Sequence, residues 1–174
     1  MKKLFFMALL AGLMILPGCN DDDSNSTSPV GPTGVSKGIV RVHFETEGIV
    51  GDIVSVKVFI NDEQKAVLGK EQFDFVQKDI DPYGTTRVVV EPEFAEVEAP
   101  TENFDVFYEI NGEVGISSDG GESWDIIKEI PNERVETKNR DYTTFADYVD
   151  RLKKKSCFQR SEYLIANGKV TLVE

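Results

Sequence analysis

The chain has 174 residues, with 31 acidic against 19 basic side chains, a formal net charge of -12 and a single histidine. A surface of that sign repels nucleic acid and anionic headgroups, which makes both poor candidates as bulk partners. One histidine and two cysteines, Cys19 and Cys157, leave no set for a histidine-based metal site or a disulfide scaffold, and no cofactor or metal is expected.

Lys2 and Lys3 precede an apolar run from Leu4 to Leu16, 13 residues long. That is the length of a signal-peptide core and short of the ~20 residues that span a bilayer. Leu16-Pro17-Gly18-Cys19 closes the run. It resembles the lipobox of bacterial lipoproteins, with Leu16, Gly18 and Cys19 matching and Pro17 departing from the usual Ala, Ser or Thr. The resemblance implies that residues 1–18 are a signal peptide cut between Gly18 and Cys19. It also implies that the Cys19 thiol carries a diacylglycerol thioether, such as a palmitoylated one. Two or more acyl chains give stable membrane anchoring where one does not. Loss of Lys2 and Lys3 takes the basic count from 19 to 17 against 31 acids, a net charge of -14.

Residues 19–37 read as a solvated linker dominated by Ser, Pro and Gly. Asp21-Asp22-Asp23 is similar to the surface-export signal of Bacteroidota lipoproteins, and it also reads as a charged spacer. Asn20 does not match the inner-membrane retention signal. These resemblances imply a lipid-anchored protein of the cell envelope, expected on the outer membrane.

From Gly38 onward the chain alternates apolar and polar residues as half-buried antiparallel strands do. Val40, Val42 and Phe44 face one way; Arg41, His43 and Glu45 face the other. Ile53 to Ile60 repeats the pattern with Val54, Val56, Val58 and Ile60, Asn61 to Gln64 reads as a turn, and Phe73 and Phe75 mark another strand. Asp81-Pro82-Tyr83-Gly84 fits a type I turn. Glu91 to Glu102, with Pro92 and Pro100, reads as a charge-protected edge strand, or as carboxylates facing a cation or an acid-tolerant ligand. Phe104, Val106, Tyr108 and Ile110 lead to Asn111-Gly112, the strongest short hairpin signal in the chain.

Ser117-Ser118-Asp119-Gly120-Gly121-Glu122-Ser123-Trp124 fits the pattern S-x-D-x-G-x-[ST]-W. It resembles the Asp box of sialidases and related propellers, with Ser117, Asp119, Gly121, Ser123 and Trp124 in the pattern. The resemblance implies a structural hairpin turn remote from any active site. A propeller needs at least four blades of about 40 residues, and the motif occurs once, so a sialidase is rejected. A strand from Trp124 ends at Pro131, and Arg134 to Arg140 follows as a short charged strand or loop.

Phe145, Tyr148, Val149 and Leu152 are spaced for one helix running to about Lys155, with a basic end that suits its dipole. Cys157 reads as a buried thiol. Tyr163 to Val173, broken by Asn167-Gly168, reads as a closing hairpin.

The expected fold is mainly β: an antiparallel β-sandwich-like domain with one C-terminal α-helix followed by a β-hairpin. It spans 38–174 as one domain or as two halves, 38–100 and 101–174. The expected function is that of a lipid-anchored, non-enzymatic envelope module binding a glycan or protein, with Tyr83, Phe107 and Trp124 as candidate contact residues. The alternatives are an assembly accessory of an outer-membrane complex and a small carboxylate-based hydrolase.

Overall fold

A computed structural model of the chain describes residues 35–140 and 144–173, with Arg140 described by its backbone alone. The signal segment, Gly18, Cys19 and the linker up to Gly34 lie outside the described residues.

Among the described residues nine strands form two antiparallel sheets packed face to face. They are β1 (Lys37–Gly48), β2 (Val54–Ile60), β3 (Glu63–Leu68), β4 (Asp74–Ile80), β5 (Thr85–Phe94), β6 (Phe104–Ser117), β7 (Ile126–Arg140), β8 (Ser161–Ala166) and β9 (Lys169–Leu172). A short helix α1 (Val50–Ile53) joins β1 to β2, and α2 (Phe145–Lys153) with a 3-10 turn at Ser156–Phe158 joins β7 to β8. One sheet has the order β4-β1-β6-β7 and the other β3-β2-β5-β8-β9. Each sheet takes strands from both halves of the chain, 38–100 and 101–174.

The alternation explains which face turns inward. Val40, Val42 and Phe44 of β1, Val54, Val56 and Val58 of β2, and Val106, Tyr108 and Ile110 of β6 are all buried. Phe158, delivered by the 3-10 turn, plugs the sandwich. Its ring meets Phe44 edge-on at 5.8 Å, Phe94 at 6.3 Å and Tyr108 at 5.1 Å. Helix α2 packs by the stripe its spacing predicts: Phe145, Tyr148 and Leu152 are buried, with Phe145 edge-on to Phe104 at 5.6 Å. It ends at Lys153, two residues short of the expected limit.

Three local readings are corrected. Asn111-Gly112 is not a turn. Asn111 pairs with His43 and Gly112 with Val42, inside an unbroken twelve-residue ladder between β1 and β6. A non-local partner on each side outweighs the local turn preference. The strand from Trp124 does not end at Pro131. Register slips between β6 and β7, where Ile110 faces Glu133 and Gly112 faces Ile130. This bulge absorbs Pro131, which the free edge of β7 tolerates. Glu91–Phe94 continues β5, pairing with β2 only, because β8 pairing stops at Val90. Pro92 thus sits where one side of the strand is open, and the chain leaves the sheet after Phe94.

The two-residue turn at Asn61-Asp62 has φ of 50° and 66°, as a type I′ hairpin needs. Asn167-Gly168 has φ of 53° and 67° and closes the final hairpin in the same way.

Candidate functional site

The outer face of the four-stranded sheet carries a set of polar side chains around an opening. Odd-numbered residues of β1 and β6 point outward here. Arg41 stands between Val76 of β4 and Glu113 of β6, and His43 stands between Asp74 and Asn111. Together they border a shallow cleft of about 250 Å³. His43 Nδ1 donates to Asp74 Oδ1 at 2.8 Å, and its Nε2 lies 3.8 Å from Glu45. Arg41 lies 3.7 Å from Glu113.

The loop from Ser117 to Trp124 packs against Arg41, at the rim of this cleft. Ser117 Oγ donates to Asp119 Oδ1 at 2.6 Å and accepts from the Gly121 amide at 2.7 Å. The Asp119 carboxylate also accepts from the amides of Glu122 at 3.0 Å and Ser123 at 2.9 Å, and from the Ser123 hydroxyl at 2.5 Å. The hydrogen bonds from Ser117 and Ser123 hold Asp119 well below the usual carboxylate range. The carboxylate is thus engaged in shaping the turn.

The turn folds back over β1. Gly121 has φ +94°, and a Cβ there would meet Arg41 Nη2 at 2.7 Å and Ile39 Cδ1 at 2.8 Å, so only glycine fits. Its carbonyl accepts from Arg41 Nη2 at 2.7 Å. The half-buried Trp124 ring lies directly on Gly115, where a Cβ would come within 2.3 Å of it. The Arg41 guanidinium stands 5.0 Å from the centre of that ring. Trp124 therefore acts as a wall that fixes Arg41 at the mouth of the cleft.

The three candidate contact residues do not form one site. Phe107 shares the outer face with Trp124, but it lies eight positions along β6 from Gly115, about 27 Å at strand rise. It stacks with Arg134, whose Cζ is 5.4 Å from its ring centre. Tyr83 is exposed at the β4–β5 turn, against Gly168 of the β8–β9 turn. The cleft residues come from three strands, β1, β4 and β6, and no local motif announces them. The one signal in the sequence is the polar face of β1.

Elsewhere the charged clusters are satisfied from within. The β7 bulge aims Glu133 inward, where it accepts from Lys155 Nζ at 2.5 Å and from the Cys157 thiol at 3.4 Å. Burial works against its charge, but these hydrogen bonds outweigh it and keep Glu133 below the ordinary range. Burial, then the bond to Glu133, pushes the Cys157 thiol up to about 12. On the outer face of the five-stranded sheet, Glu162 accepts from Arg87 at 2.7 and 2.8 Å and from Arg160 at 2.5 Å. Bonds from Arg87, then Arg160, bring Glu162 down to about 2. A larger groove of about 410 Å³ between α2 and residues 95–97 has an apolar floor of Ile53, Val97, Phe145 and Val149. Among the described residues no group of three or more His, Cys, Asp or Glu could hold a metal ion, and no helix is long and apolar enough to cross a membrane.

Comparison with known proteins finds no matching family model, no similar curated protein and no similar solved structure.

Proposed function

We propose that this chain is a lipid-anchored, non-enzymatic cell-envelope protein that binds a neutral glycan in the cleft on the outer face of its four-stranded sheet. The supporting observation is the convergence of Arg41, His43, Asp74, Asn111 and Glu113 on one open cleft. Guanidinium, carboxylate and carboxamide groups are planar and offer paired donors or acceptors, which suit neighbouring sugar hydroxyls. A protein interface would instead call for buried aromatic or aliphatic anchors. Exposed apolar surface at the cleft is small, chiefly Val76. Glu45, Asp74 and Glu113 outnumber Arg41 and His43, so an anionic polymer is repelled and a neutral one is accepted. The tether is argued from Leu16 to Cys19: anchored there, a linker of Ser, Pro and Gly lets the domain reach polymer near the membrane.

The test is affinity electrophoresis through gels containing neutral or acidic polysaccharides. Retardation by a neutral polymer, lost in Asn111→Ala, supports the reading. Retardation only by acidic polymers, or none by any neutral one, overturns it. The tether is tested separately: Cys19→Ser should leave the membrane fraction and lose labelled palmitate, and retention with label refutes the anchor.

A further inference from the structure

We propose that the free edge of β4 pairs antiparallel with the same edge of a second copy of this chain, about a twofold axis at Val76. This goes beyond the glycan reading and does not depend on it.

Among the described residues β4 ends its sheet, with β1 on one side only. The Phe44 amide donates to the Phe73 carbonyl at 2.8 Å. In an antiparallel ladder bonded pairs alternate, so Phe73, Phe75 and Gln77 turn their peptide groups to β1. Asp74, Val76 and Lys78 therefore turn theirs to the open edge. The side chains agree: the Gln72 amide donates to the Asp74 carbonyl at 3.1 Å, and the Gln77 amide to the Lys78 carbonyl at 2.9 Å. These two amides cap the ends of the open segment, while Val76 lies uncapped between them and is 52% exposed.

The segment Asp74-Phe75-Val76-Gln77-Lys78 is self-complementary. With Val76 opposite its copy, Asp74 faces Lys78 of the second chain on both sides of the axis, and the two Val76 side chains meet on the outer face. Unlike charges directly opposed stabilise a strand pair, while like charges oppose it. The end caps of Gln72 and Gln77 swing aside as the peptide groups pair. The other free edges fit less well. β7 carries Pro131 and a bulge, β9 has four residues, and β3 is interrupted by a register shift between Ala66 and Gln64. Asp79, with φ +64°, ends the regular stretch and fixes the length of the pairing. Five paired residues make a small interface, so association is weak in dilute solution and gains from confinement of both copies to one membrane. The pairing sets two clefts side by side on one continuous eight-stranded face.

The experiment introduces Val76→Cys and treats intact envelopes, and concentrated purified protein, with a short bifunctional maleimide. Val67→Cys, exposed on the opposite sheet, measures random collision, and the parent chain measures background from Cys19 and the buried Cys157. The expected result is a crosslinked dimer from Val76→Cys well above the Val67→Cys level. Adding Lys78→Asp should lower it to that level, and adding Asp74→Lys to that variant should restore it. Crosslinking of Val76→Cys no greater than that of Val67→Cys, or a charge swap that restores nothing, overturns the pairing. A protein absent from the membrane fraction that still crosslinks when concentrated refutes the tether and leaves the pairing standing.

Discussion

Gly115→Ala is a single added methyl placed against the Trp124 ring, which packs on Arg41. The new Cβ would lie 2.3 and 2.4 Å from two carbons of the Trp124 ring and 2.7 Å from the Ile126 carbonyl oxygen. Ordinary carbon contacts begin at about 3.5 Å, so the ring must lift by roughly 1.2 Å or more. Overpacking of this kind costs about 1–3 kcal/mol. For a domain of this size that is a fall in Tm of about 4–12 °C, at about 4 °C per kcal/mol. Trp124 is the only tryptophan, so its fluorescence reports the same event without ambiguity. The variant should melt earlier and emit further to the red, and Arg41 should lose its wall. In a Trp124→Ala background the cost of Gly115→Ala should shrink, because the ring it strikes is gone. An unchanged Tm with unchanged emission would refute the packing argument, as would full additivity of the two substitutions.

Phe158→Ala removes the ring that meets Phe44, Phe94 and Tyr108, and should cost about 3–5 kcal/mol in urea unfolding. A cost below that of an ordinary surface substitution would show that the 3-10 turn does not plug the core. Cys157, with its thiol raised to about 12 and buried, should resist a thiol reagent at pH 8 in the native protein and react at once in denaturant. Fast native labelling would contradict its burial. Glu162 titrates at about 2 in the folded chain against an ordinary 4.5. A lowered value means the Arg87 and Arg160 bonds stabilise the fold fully above pH 4.5, and that contribution fades as pH falls toward 2. Glu162→Gln should flatten this acid limb in thermal melts, and an unaltered limb would assign the acid sensitivity elsewhere.

The sandwich is legible in the sequence where each strand buries one face. Val40, Val42 and Phe44, or Val106, Tyr108 and Ile110, show their period directly, and both type I′ turns carry residues that tolerate positive φ. Misreadings fall where a distant partner decides. Asn111-Gly112 has the chemistry of a turn but is held extended by β1, about seventy residues away in sequence. Pro131 reads as a stop but becomes a bulge because β7 is an edge. The turn bonds at Asp119 reach at most four residues and so belong to local sequence. Arg41, which that turn captures, lies 80 residues from Gly121 and carries no local sign of it. The cleft was hidden for the same reason, since Asp74, His43 and Asn111 meet only through strand register.

The binding claim is tested most directly by NMR on the mature chain. A single indole N–H signal reports Trp124, and the side-chain amide of Asn111 reports the cleft floor. Titration with the neutral oligosaccharide of the polymer that retards the protein in gels should move both signals together and leave those of Tyr83 and Phe107 in place. Shifts confined to Phe107, to Tyr83 or to the groove beside α2, with Trp124 and Asn111 unmoved, would contradict the account.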